Sequence, residues 1–146
     1  MIDRHAESMV RWPTVLLVHR RCGDRHHDWL LADPTMPEGP LWTGRVRPAS
    51  HQWTSLRGWY VQQITAHRRR YLTYEGSLSG GRGTVRRVDE GTFVVRCWQP
   101  DRILIELALR HCRAWVLLRR VRDRRWWAKV VPEESVAAVR PIVDYD

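Results

Sequence analysis

The chain has 146 residues, 43% of them hydrophobic, and a formal charge of +9. That length gives one domain able to bury its own core, and an isoelectric point near 10.6 points to polyanionic partners rather than cationic ones. Three cysteines without a CxxC pair argue against a zinc ribbon and a secreted disulfide framework, and no stretch reaches the roughly 18 apolar residues of a membrane span.

Residues 1–12 are mixed and polar. From Pro13 onward the pattern is one of short apolar runs broken by turn formers. Residues 14–19, 27–32 and 41–46 read as the first three strands, with a turn at 20–25 and Asp33-Pro34 and Pro37-Glu38-Gly39-Pro40 between the second and third. The stretch 47–58 is the least patterned and reads as a loop. Residues 59–65, rich in aromatic and β-branched side chains, give a fourth strand, and 71–74 a short fifth. Gly80-Gly81-Arg82-Gly83 is a loop. Residues 84–89 and 92–98 flank Glu90-Gly91, which reads as a hairpin turn. Strands at 102–109, 113–120 and 125–130 follow, and 133–139 suits a short helix. Ile103, Ile105, Leu107 and Leu109 alternate with Arg102, Leu104, Glu106 and Ala108, the mark of a half-buried strand. Runs of this length and spacing predict an all-β fold, a compact closed or nearly closed β-barrel with little helix. The expected domain is single, with a core at about 13–130 and flanks at 1–12 and 131–146.

Nine tryptophans against one phenylalanine place much of the packing on large rings. In the Trp126-Trp127 pair one ring falls on each face of a strand, and plain packing is the simplest reading of both. Lys129 is the only lysine, so nearly all positive charge is arginine, whose planar fork suits phosphate oxygens.

The chemistry-bearing cluster lies near the start. His19 ends the first strand, and His26, His27 and Asp28 open the second. Side chains alternate on a strand, so His26 and Asp28 share a face and His27 takes the other. A hairpin brings His19 beside the pair. Two imidazoles and a carboxylate suit manganese, zinc or iron with positions left open. Asp24 and His27 are close enough to orient a ligand imidazole from behind. His5, His51 and His111 read as surface or turn residues, and Glu75 as a loop support. Arg68, Arg69 and Arg70, with Arg86 and Arg87, form the expected backbone-contacting patch.

Further motifs follow in order. Leu41-Trp42-Thr43-Gly44-Arg45-Val46 comes first, then His67-Arg68-Arg69-Arg70-Tyr71 with Tyr74-Glu75-Gly76, then Gly81-Arg82-Gly83-Thr84-Val85 and Val88-Asp89-Glu90-Gly91-Thr92-Phe93. This succession, over about residues 14–130, resembles the 3'-phosphoesterase domain of the bacterial end-joining DNA ligase D, in particular its small stand-alone relatives. The resemblance implies a compact β-barrel and manganese-dependent trimming of 3' ends, in which a terminal ribonucleoside and then a 3'-phosphate are removed. By position, His19, His26 and Asp28 match the metal ligands, His67 the histidine on the scissile phosphate and Tyr71 the tyrosine beside it. The pattern departs at Leu30, where the larger domain carries a phosphate-gripping arginine, and at Ala32, where it carries a glutamate. Arg25, Arg68, Arg69, Arg70 and Arg82 are the candidate replacements. The implied partners are DNA or RNA-terminated DNA 3' ends and end-joining ligase or polymerase proteins. A cytoplasmic monomer with no membrane association is expected. The alternative is a non-catalytic, arginine-rich nucleic-acid-binding barrel that has lost the phosphate clamp.

Overall fold

The structure is a computed structural model and describes residues 9–143; His5 lies outside them. The strands are β1 (Arg11–Arg21), β2 (Asp24–Leu31), β3 (Leu41–Val46), β4 (Trp59–His67), β5 (Gly76–Ser77), β6 (Thr84–Gln99), β7 (Arg102–Leu109), β8 (Arg113–Arg122), β9 (Arg125–Val131) and β10 (Ile142–Val143). Eight of them close a ring in the order β1-β2-β3-β4-β9-β8-β7-β6, with β6 returning to β1. Every pairing in the ring is antiparallel. Closure removes the exposed edges that an open sheet of this size would present. The expected closed β-barrel is therefore the observed fold, and the helix of the described residues is confined to short segments such as Ser50–Ser55 and Glu133–Val136.

Alternation decides what fills the lumen. Ile103, Ile105, Leu107 and Leu109 of β7 all point inward and are buried. On β1 and β2 the inward set is Leu16, Trp29 and Leu31. The lumen is packed with indoles: Trp29 lies 4.7 Å from Trp53, which stacks on Trp59 at 4.7 Å, and Trp42 meets Trp126 edge-on at 5.5 Å. Trp53 comes from a 3-10 turn, Ser50–Ser55, inside the irregular 47–58 loop. That loop plugs one end of the barrel with a fully buried ring. Trp29, Trp53 and Trp126 each donate their N–H, to Thr14, Pro48 and Gln63 respectively, so burial of the indoles leaves no polar penalty there.

The middle of β1 and the end of β2 are buried on both faces, which is why residues 15–18 and 29–32 read as unbroken apolar runs. Their outward set, Val15, Leu17, Leu30 and Ala32, joins Leu41 and Val85 in a second small core. Its cover is the segment 68–83, a strap that lays Tyr71, Leu72, Tyr74 and Leu78 across the outside of the barrel. Leu104 and Cys97 are likewise covered from outside by Val136.

Three local expectations are corrected. Residues 71–74 form no strand; the chain makes a 3-10 turn at Arg69–Leu72 as it lifts off the barrel to start the strap. The turn expected at 20–25 shrinks to Cys22-Gly23, both at positive φ (47° and 84°), as a two-residue hairpin loop requires. Glu90-Gly91 is no turn at all. β6 runs unbroken through 16 residues, with Gly91 paired to Thr14 on one side and Leu109 on the other. Glycine is needed because a Cβ would strike the Ala108 carbonyl. The turn-like signal beside it marks a bulge, since Leu16 faces Asp89 while Leu17 faces Arg87. Asp89 is 1% exposed. It accepts from the Ser50 hydroxyl at 2.5 Å, from the backbone N–H groups of Glu90 and Arg110 at 2.8 Å and from that of His111 at 3.1 Å. One carboxylate thus ties the bulge to the β7–β8 turn and to the plug loop.

Candidate metal centre

The β1–β2 register sets His19 directly opposite His26, and opposed residues of an antiparallel pair share a face. That face is the outer one. β2 pairs with β3 so that Asp28 lies opposite Arg45, and His67 ends β4 opposite Leu41 of β3. Four strands therefore deliver His19, His26, Asp28, Arg45 and His67 to one patch at the edge of the second small core.

The ligand atoms of His19, His26 and Asp28 all lie within 4.8 Å of one another. His19 Nδ1 faces His26 Nε2 at 3.2 Å, and His26 Nε2 is 3.5 Å from Asp28 Oδ1. Contacts on the far side of each ring fix the tautomers. His19 Nε2 lies 2.7 Å from the Arg82 carbonyl and must carry the hydrogen to donate there. His26 Nδ1 is turned to the Asp24 carboxylate at 3.5 Å, which favours the hydrogen on that nitrogen. The atoms left facing inward are then lone pairs: His19 Nδ1, His26 Nε2 and Asp28 Oδ1. Asp28 is 2% exposed, and its Oδ1 has no hydrogen-bond donor. A buried carboxylate oxygen that accepts no hydrogen bond and faces two imidazole lone pairs, with the Arg45 guanidinium no nearer than 3.7 Å, has room and reason for a further cation. The donor set fits a divalent metal.

His67 completes the patch. Its Nε2 is 3.5 Å from Asp28 Oδ2 and its Nδ1 is 3.0 Å from the Thr65 carbonyl, while its backbone N–H donates to the Thr43 hydroxyl at 3.2 Å. Burial alone would push the imidazole pKa down. The Asp28 carboxylate and the Thr65 carbonyl outweigh burial and hold it above the ordinary value. His26 moves the other way, because burial outweighs the attraction of Asp28, and this keeps the ring neutral as a ligand must be. Tyr71 packs on His67 with ring centroids 5.7 Å apart.

The remaining expected residues are divided between places. Asp24 stands behind His26. His27 takes the opposite face and bonds the Arg47 carbonyl at 3.2 Å; its contact is with the β3 exit and not with a ligand imidazole. Arg68, Arg70 and Arg82 line the cavity of about 550 Å³ over the cluster. The Arg70 guanidinium sits 4.5 Å from the Tyr74 ring centroid, and Arg82 is tied to Ser79 through Nε and Nη2 at 2.8 and 2.9 Å. Arg25 lines a separate groove, and Arg69 lines neither. Arg87 is held by Glu90 at 2.6 Å and by Glu75; Glu75 also accepts the Arg87 backbone N–H at 2.9 Å, the loop support expected of it. His51 and His111 are exposed.

Sequence reading missed Arg45. Its Nε lies 3.7 Å from Asp28 Oδ1, and it lines the cavity beside His67. The available signal was its place in the Leu-x-Thr-x-Arg-Val stretch, but the facing position follows only from the β2–β3 register. No protein-family model matches the chain, and no curated protein matches it.

Proposed function

We propose that the barrel is a metal-dependent phosphoesterase acting on nucleic-acid 3' ends, which removes a 3'-ribonucleoside or a 3'-phosphate and leaves a 3'-hydroxyl. Manganese is the ion that the family resemblance favours. The observation that carries this reading is the inward-facing set of His19 Nδ1, His26 Nε2 and the unpaired Asp28 Oδ1. A divalent ion held there supplies charge for a phosphoryl oxygen and acidity for water. The chain's own residues do the rest. His67 is fixed at Nδ1 by Thr65 and presents Nε2, whose proton can go to a phosphate oxygen. Tyr71 supports that ring from the strap. Arg45 brings a guanidinium to the cluster from β3 and offers the phosphate contact that Leu30 lacks. Arg68 and Arg70 add positive charge at the rim.

A second reading has one observation in its favour. Leu30 and Ala32 are fully buried under the strap, so the outer face has been given over to packing where the family pattern places charge. On that reading the barrel binds nucleic acid without cutting it.

One assay separates the two. A labelled primer–template ending in a single 3'-ribonucleotide, or in a 3'-phosphate, is incubated with manganese, with and without chelator, beside His26→Ala. Conversion to a 3'-hydroxyl that chelator and His26→Ala both abolish establishes the enzyme. Tight, salt-sensitive binding without conversion establishes the binding module.

A further inference from the structure

Beside the metal cluster runs an open groove of about 1250 Å³, and its wall includes Arg25, Arg45, Arg47 and Arg125. Asp24 is the only carboxylate among the described residues of that wall, and it is turned toward His26. Arg45 borders both this groove and the cavity over the metal ligands, and His26 also lines the groove, so the groove runs up to the cluster. Tyr60 also lines it, 51% exposed on a strand whose neighbours Trp59 and Val61 are buried. Its ring edge rests on Trp127 at 4.7 Å, and the Arg125 guanidinium lies 3.9 Å from its centroid. Trp59 contributes to the wall, and its buried indole N–H finds no acceptor among the described residues. Past Tyr60 the β8–β9 hairpin adds Arg119, Arg122 and Arg124, all exposed.

We propose that this groove is a track for an unpaired nucleic-acid strand, which it leads toward the metal cluster. Resting on the nucleic-acid reading above, the inference adds a binding path apart from the Arg68, Arg69 and Arg70 patch. Guanidinium groups spaced along a groove neutralise successive phosphates, and an exposed aromatic ring between them offers a stacking face to any base. The base must be unpaired to use that face, which selects single strands over duplex.

The test is fluorescence anisotropy of a labelled oligothymidylate with the full chain in chelator, where capture is read without chemistry. Tyr60→Ala should weaken binding about 10-fold or more, as loss of one stacked base does, and Tyr60→Phe should restore it. The double variant Arg47→Ala/Arg125→Ala should reduce the salt slope by about 1.4, from two lost single-strand phosphate contacts. Arg113→Ala, an exposed arginine at the far end of β8, should leave the affinity for the strand near that of the parent. Unchanged binding by Tyr60→Ala overturns the track, and so does an equal loss toward blunt duplex, since paired bases cannot stack there. The track and the phosphoesterase reading fail separately: strand binding that depends on Tyr60 without 3'-end conversion retains the track and removes the enzyme. Conversion with no dependence on Tyr60 does the reverse.

Discussion

Strands β1 and β2 build two regions that treat polar atoms in opposite ways. On their inner face, Leu16, Trp29 and Leu31 enter a lumen of stacked indoles, and the Trp29, Trp53 and Trp126 N–H groups all find acceptors. On their outer face, one residue along, Leu17 and Leu30 give way to His19, His26 and Asp28, with a buried carboxylate oxygen left without a donor. The inner face is organised for stability, because apolar burial and these paired indoles both favour the closed ring, the Trp59 N–H being left without an acceptor among the described residues. The outer face holds converging lone pairs, which are unfavourable until a cation joins them. A strand's two-residue period lets one pair of strands do both without compromise.

The largest expected effect tests the inner face. Trp53→Ala removes the plug ring that touches Trp29 and Trp59 and should cost about 3–5 kcal/mol of unfolding free energy, as large aromatic truncations in cores do. Chemical denaturation measures it. A loss under 1 kcal/mol would mean that the plug is dispensable and the ring stable without it.

The next effect tests the outer face. Manganese at a hundredfold excess over its dissociation constant should stabilise the parent by about 2.7 kcal/mol, a rise in Tm of roughly 5–10 °C for a chain of this size. Asp28→Asn should abolish that rise while leaving the fold without metal near the parent's stability. Equal metal-induced shifts in parent and variant would place the ion elsewhere.

The smallest effect compares the two faces by thiol chemistry. Cys22 is exposed at the β1–β2 turn, while Cys97 and Cys112 are buried. Burial, with the Asp89 carboxylate nearby, pushes the Cys112 thiol up to about 11, so at pH 8 its thiolate fraction is roughly one in a thousand. The sign follows from the raised pKa: the neutral thiol persists through neutral and mildly alkaline pH, and reactivity returns only as pH approaches that value. The native protein should therefore take one equivalent of alkylating reagent rapidly and the remaining two only on unfolding. Mass spectrometry reads the count, and rapid labelling of Cys112 at pH 8 would show that the β7–β8 turn opens.

The two faces also differ in how legible they were. The barrel was readable because each strand's pattern is local: four alternating apolar residues on β7 state which side is inward. The hairpin cluster was readable for the same reason, since His19, His26 and Asp28 fall within ten residues. Glu90-Gly91 misled because a bulge and a turn ask for the same residue types, and only the partner strands tell them apart. Tyr71 to Tyr74 misled because aromatic content signals burial against a sheet as readily as membership in one. Arg45 and the Arg82 carbonyl stayed hidden because their meeting with the ligands depends on inter-strand register, which no single segment encodes.

That last dependence has a consequence for folding order. The two candidate ligand histidines lie seven residues apart and meet in a local hairpin, whereas the carbonyl that fixes the His19 tautomer comes from 63 residues further along the chain. It arrives only when the end of the strap is drawn in beside β6, the strand that closes the ring. Local pairs form early and distant ones late, so a nascent chain with its first hairpin made still lacks the fixed tautomer. If the cluster holds a metal as proposed, tight uptake would thereby be linked to ring closure, and the ion would report completed folding.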